Sequence, residues 1–349
     1  MSDRPVVIKL GGDALASPQR IVAQAERLAR QAALGPVVAV TSARRGVTDH
    51  LLGLTREISA AAAATPSAPP TAALSRSAKA ESDRAVATGE IVSASLLALA
   101  LNQLGVPAVS LDAREAGVVS RGEFGNARIR EVVPRKLERL LQRGAIPVVT
   151  GFQGWQRGRV ATLGRGGTDA SAVALTLALG GQRTIFVKEA HGLRTADPKL
   201  VPEAERIAEA PHGFLSALAT AGARVVQAEA AQLAERHGLR LEFWSLEEDV
   251  ADSVVHRDAS AGGLRAVATW SGTADGHVTV LAGQAADLLD ETDLLRAALQ
   301  SAGIMAGEIQ PAANGLRFVV PAAHTADATR ALHRAFVSCR PDQNARRAS

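Results

Sequence analysis

Short apolar runs recur along the first two thirds of the chain, at Pro5–Leu10, Val37–Val40, Gly105–Leu111, Ala145–Thr150 and Thr184–Val187, with amphipathic stretches between them. Strands that alternate with helices from residue 5 to about 256 imply an α/β fold, a mostly parallel sheet covered on both faces in three αβα layers. In such a sheet the carboxyl ends of the strands share one edge. Residues far apart in sequence therefore converge there, and that edge is where ligands bind.

The conspicuous polar and glycine residues follow those strands. Lys9 closes the first run and leads into Gly11-Gly12 and a helix predicted over 17–33. Strand, two glycines and helix allow close approach to a phosphate, with an ammonium between its oxygens. A lysine marking a strand edge is the plainer alternative. The segment Thr162-Leu163-Gly164-Arg165-Gly166-Gly167-Thr168-Asp169 opens another helix. Thr168 suits its N-cap, and the exposed amides with the Arg165 fork favour an anion. Asp169 is unexpected in an anion site, and in phosphoryl transfer it answers to a metal ion or to a lysine that must be held. A capped surface loop is the alternative.

Ser42, Thr48 and Asp49 follow the second strand, as ligand groups or as helix caps. Glu90 is the only acid between Val86 and Leu104. It is either a first-turn acid favoured by the helix dipole or a buried carboxylate for a substrate ammonium.

Residues 59–80, rich in Ala, Pro, Ser and Thr, predict a flexible insertion in a domain spanning 1–258. From 264 to 338 the rhythm changes to a compact α+β unit, with strands at 264–270, 277–282, 304–310 and 316–320 and helices at 290–302 and 324–337. It reads as a binding or dimerisation module, and 340–349 as a disordered tail. The 349 residues are 47% hydrophobic and 21% charged, with net charge +4 and no basic run, which disfavours nucleic acid as a partner. One cysteine, Cys339, excludes an internal disulfide framework and fits a cytoplasmic location. No apolar run of spanning length is evident, so no membrane association is expected.

In their order, these segments resemble the amino-acid kinase family, and within it the aspartate kinases, over residues 5–256. The resemblance is carried by Lys9-Leu10-Gly11-Gly12-Asp13-Ala14, Ser42 to Asp49, Ala87-Thr88-Gly89-Glu90, Gly151-Phe152-Gln153-Gly154, Thr162 to Asp169, Thr195-Ala196-Asp197-Pro198-Lys199 and Gly222-Ala223-Arg224. It implies transfer of the ATP γ-phosphoryl group to the side-chain carboxylate of L-aspartate, with Mg²⁺ held mostly by phosphate oxygens and no protein metal site. Lys9 would stabilise the transferring group and Asp169 would orient Lys9. Gly11, Gly12, Gly166 and Gly167 would offer amides to phosphate. Arg165 would grip a carboxylate of the amino acid and Glu90 its ammonium, with Thr48, Phe152 and Thr168 shaping the pocket.

Nucleotide contacts would extend to Asp13, Lys188, Glu189, Arg194, Lys199 and Arg224. Asp13 and Ala14 replace a threonine and a serine, and Lys188-Glu189-Ala190-His191-Gly192 replaces the family's nucleotide segment. These departures leave open a kinase for another carboxylate-bearing amino acid, or a non-catalytic ligand-binding homologue. The C-terminal unit resembles a single ACT domain, which has a ferredoxin-like fold, and implies a homodimer.

Overall fold

The computed structural model describes residues 4–64, 72–164, 166–189, 192–284, 288 and 291–338. In chain order its elements are β1 (Val6–Leu10), α1 (Pro18–Ala32), β2 (Val37–Thr41), α2 (Val47–Ala63), α3 (Ala72–Gln103), β3 (Ala108–Leu111), β4 (Val118–Glu123) and β5 (Asn126–Val132). There follow α4 (Arg135–Gln142), β6 (Ile146–Thr150), β7 (Gln153–Gln156), β8 (Arg159–Thr162), α5 (Gly167–Ala178), β9 (Arg183–Val187), β10 (Leu193–Arg194), β11 (Arg206–Ile207) and β12 (Glu209–Ala210). The chain ends with α6 (His212–Thr220), α7 (Ala228–His237), β13 (Arg240–Trp244), β14 (Ala251–Val255), β15 (Arg265–Ser271), β16 (Asp275–Ala282), α8 (Thr292–Ser301), β17 (Ile309–Ala312), β18 (Gly315–Pro321) and α9 (Thr325–His333).

These elements form two compact units, one from residues up to 190 with 239–250 and the other from 191–238 with 251 onward. In the first unit the strands run β13-β9-β1-β2-β6-β3, every neighbouring pair parallel, as the alternating rhythm predicts. Val7, Val38, Val40 and Val149 project onto one face, where Leu137 of α4 and Ala172 and Leu175 of α5 pack on them. Ile8 and Ala39 alternate to the opposite face and are equally buried. A smaller sheet, β5-β4-β7-β8, is built from two hairpins.

The stretch expected as a flexible insertion is largely helical. α2 continues through Ala63 and α3 begins at Ala72, because alanine is the strongest helix former; residues 65–71 lie outside the described residues. The Ala87–Glu90 segment consequently falls in the middle of α3, so the helix-dipole reading of Glu90 is overturned. Leu74–Gln103 within α3 is long and apolar enough to cross a membrane by length and composition, which the sequence reading overlooked. It packs against α1, α2, β3 and β8, and half of its most apolar window is buried, as in a core helix.

In the second unit, β15-β16-β18-β17 form an antiparallel sheet. Its Val278, Val280, Phe318 and Val320 pack on Leu295 and Leu299 of α8 and Ala328 and Leu332 of α9. The strand expected at 304–310 is confined to Ile309–Ala312. Ile304 instead plugs the core, at 3% exposure. The expected tail and Cys339 lie outside the described residues.

Candidate active site

Lys9 stands in a central strand, on the same rung as Val40 and Phe186, and only 8% of it is exposed. That rules out the edge-strand reading. It shares the parity of Val7, so its side chain projects to the face that α5 covers. The first turn of α5 presents Asp169, 5% exposed, and Lys9 Nζ meets Asp169 Oδ1 at 3.0 Å. Two residues beyond Phe186, Lys188 joins them. Burial lowers its ammonium to about 8; the Asp169 charge pulls it upward and the Lys9 charge pushes it further down. Among the described residues, two ammonium groups and one carboxylate thus share a poorly solvated place.

The loop after β2 forms the next wall, and glycines decide how close it comes. A Cβ on Gly12 would lie 2.8 Å from the Ala43 carbonyl oxygen and 3.1 Å from the Arg45 nitrogen; the Arg45 amide donates to Gly12 O at 3.2 Å. A Cβ on Gly89 of α3 would lie 2.9 Å from Ala43 Cβ and 3.1 Å from Val47. The loop is clasped between two glycines. Its Ala43 amide thereby reaches Glu90 Oε1, donating at 2.9 Å.

Glu90 is 2% exposed, its Oε2 has no hydrogen-bond partner among the described residues, and burial pushes its carboxyl up to about 7 against the opposing pull of the Ala43 amide. A buried oxygen without a donor is unfavourable unless a ligand supplies one.

The remaining wall comes from the two loops that flank β7 and β8. Phe152 holds a positive φ of 65° although it is not glycine, a strained conformation that clusters at ligand sites. A Cβ on Gly151 would collide with the Thr168 side chain, and one on Gly167 would lie 2.5 Å from Leu163 Cβ and 3.3 Å from Phe152 Cα. Phe152, Leu163 and Thr168 are thus locked together. Gly166, with φ of 79°, caps α5 in the place expected for Thr168, which lies inside the first turn at 7% exposure.

The amides of Gly11 and Gly167 donate to Val187 O at 3.4 Å and Gly164 O at 3.1 Å. These two glycines therefore serve the approach of neighbouring chain segments. Thr48 lies in the first turn of α2 and Arg165 outside the described residues.

Sequence reasoning missed two residues. Asp83, on α3, accepts from the Thr162 amide (2.7 Å), the Thr162 hydroxyl (2.9 Å) and the Gly125 amide (2.8 Å), and so fixes the chain that leads into Gly164–Asp169. Its signal was an acid seven residues before Glu90 on one helix.

Arg45 explains how Asp13 is tolerated, since its guanidinium sits 2.9 Å from Asp13 Oδ1 and 3.6 Å from Glu189. Arg20 adds a hydrogen bond to Asp13 O at 2.8 Å and an ion pair with Glu189 at 3.7 Å. The four charges cancel. Arg194, Lys199 and Arg224 belong to the second unit, where Arg194 Nη1 donates to Ala204 O at 3.3 Å and the Lys199 amide donates to Asp197 Oδ1 at 2.9 Å. Among the described residues no group of three His, Cys, Asp or Glu side chains could hold a metal ion.

A parallel αβα sheet thus carries a lysine–aspartate–lysine cluster at its strand ends. The amino acid kinase family profile matches residues 4–243, and the chain belongs to that family. Aspartokinases of Bacillus sp. (strain MGA3) and Geobacillus stearothermophilus are 36% and 35% identical over 257 residues, 73% of this chain. The chain spans 59% and 60% of the length of those relatives.

Among solved structures, E. coli aspartokinase III in complex with aspartate and ADP aligns with TM-score 0.68 and 22% identity, over 95% of this chain and 84% of that one. Clostridium acetobutylicum aspartate kinase aligns with TM-score 0.64 and 15% identity, over 96% and 100%. These two likenesses bear on the fold.

Proposed function

We propose that the protein is an ATP-dependent kinase that phosphorylates the side-chain carboxylate of L-aspartate. The observation that carries this reading is the buried Lys9–Asp169–Lys188 cluster together with the buried Glu90 carboxylate, whose Oε2 has no hydrogen-bond partner among the described residues. The acceptor carboxylate is ionised at neutral pH and needs no base. Its oxygen attacks the γ-phosphorus, the bond from that phosphorus to the β,γ-bridging oxygen breaks, and ADP leaves with the electron pair. Such a transfer asks mainly for positioning and charge stabilisation.

Lys9 and Lys188 supply the positive charge along the transferring phosphoryl group, and Asp169 holds Lys9 on the reaction line. Glu90 binds the substrate ammonium, which draws its carboxyl down from about 7 into the ionised state. Arg165 takes the other carboxylate, and Thr48, Phe152 and Thr168 complete the pocket. Gly12 and Gly166 line the phosphate approach. Asp13 and Glu189 are both paired with arginine, so Mg²⁺ accompanying ATP would be held mostly by phosphate oxygens and would supply charge neutralisation there. Arg194, Lys199 and Arg224 are assigned to the nucleotide by the family pattern alone.

The antiparallel sheet with two helices on one face supports an ACT-like module, and we assign it the contacts of a homodimer. The single cysteine supports a cytoplasmic setting. ADP release with MgATP and a panel of amino acids, with hydroxylamine trapping of the acyl phosphate, tests the reading. Turnover with aspartate supports it, turnover only with another amino acid reassigns the acceptor, and no turnover with any rejects it.

A further inference from the structure

The C-terminal sheet uses only one face for its hydrophobic core. Alternation places Trp270, His277, Thr279 and Arg317 on the other, with Trp270 and Val319 flanking His277 on one rung and Arg317 beside Thr279 on the next. A second face left to water has its polar atoms solvated. Here Thr279 is fully buried, and Thr279 Oγ1, His277 Nδ1 and Arg317 Nε are all buried without a hydrogen-bond partner among the described residues. Three such atoms on adjacent rungs are costly unless something else completes them.

The covering segment leaves room for that. Residues 220–222, at the end of α6, close over Trp270, and a Cβ on Gly222, which has φ of 105°, would lie 3.0 Å from Trp270 Cβ and 3.2 Å from Thr269 O. Between this segment and the sheet lies a cavity of about 220 Å³ lined by Thr220, Ala221, Gly222, Trp270, His277 and Arg317. Among the described residues the lining holds a guanidinium and an imidazole and no acid, so it suits an anion. The Trp270 ring, stacked on His277 at 5.1 Å, gives it an apolar wall. An adjoining groove of about 510 Å³ includes Asp275 and Glu308, which repel a second negative group.

We infer that this face of the C-terminal sheet is a binding site for a small organic monocarboxylate, its carboxylate held by Arg317 with His277 and Thr279 and its apolar part against Trp270. The site draws on no residue of the Lys9 cluster, so it stands or falls independently of the kinase reading.

Isothermal titration of the full chain, without nucleotide, against butyrate, succinate and inorganic phosphate tests it. The expected result is saturable binding of butyrate, at least tenfold weaker in Arg317→Met and in Arg317→Lys, which keeps the charge and loses the fork. Thr279→Val removes an orphaned hydroxyl, so it raises the melting temperature of the free protein and shrinks the shift that butyrate produces. Preference for phosphate or succinate, binding indifferent to both Arg317 variants, or no saturable binding of any probe would overturn the assignment. So would a Trp270 fluorescence change that follows protein concentration, because that gives the face to a second copy of the chain.

Discussion

Two acids seven residues apart on α3, Asp83 and Glu90, are both buried and both held above their ordinary ionisation range by burial, yet their surroundings differ in one respect. Asp83 has donors on both oxygens, two of them backbone amides from chain segments distant in sequence. Among the described residues, Glu90 accepts from the Ala43 amide on one oxygen and has no hydrogen-bond partner on the other. The first acid is complete within the protein and acts as a clamp. The second is incomplete, which is how a binding group differs from a structural one when burial and charge type are the same.

The comparison gains a third member in Asp169, whose partner is a lysine, and the largest expected effect lies there. Lys9→Ala should lower kcat about 10³-fold, because a charge that acts on the transferring group contributes at that level. A variant with ordinary turnover would remove the basis for calling Lys9 catalytic. Next, Asp83→Ala should destabilise the fold by about 2–4 kcal/mol, since it strands two backbone donors and a hydroxyl. Denaturant unfolding reads this directly, and an unchanged midpoint would mean that the clamp is dispensable.

Glu90→Gln should leave stability equal or higher while raising KM for the amino acid about 10- to 100-fold, with KM for ATP nearly unmoved. A fall in stability like that of Asp83→Ala would erase the distinction between the two acids. The pH dependence sharpens it further. Glu90 titrates near 7 when folded against 4.5 as the ordinary value, so between those limits the folded state binds more protons and this group's contribution to stability declines as pH rises. Acceptor affinity, which needs the ionised form, should rise over the same window, and both slopes should flatten in Glu90→Gln. The smallest effect is expected at Arg45→Ala, an exposed ion pair, where KM for ATP should shift only a few-fold as Asp13 loses its counter-charge. A large kcat effect there would place Arg45 on the reacting phosphate itself.

The parallel sheet was legible because its strands are continuous apolar runs, and the Lys9–Asp169 pairing because each residue follows a strand and the carboxyl ends share an edge. Glu90 was legible as an acid out of place, but not its position in the helix. The start of α3 depends on alanines whose helical preference the neighbouring prolines and serines obscured. Asp83 showed only as an acid seven residues before Glu90, and its clamping role was not legible, since its partners at Gly125 and Thr162 come from hairpins whose approach to α3 no local pattern encodes.

By itself, the amino-acid order determined the period of each element, the glycines that permit close approach, and the kinds of charge present. Only the tertiary structure decided which charges meet. That is why Arg45 answers Asp13 and why one α3 carboxylate is complete while the other waits for a donor. Hydrogen bonding and desolvation act over a few ångströms, and distances of that scale between remote segments exist only once the chain has packed.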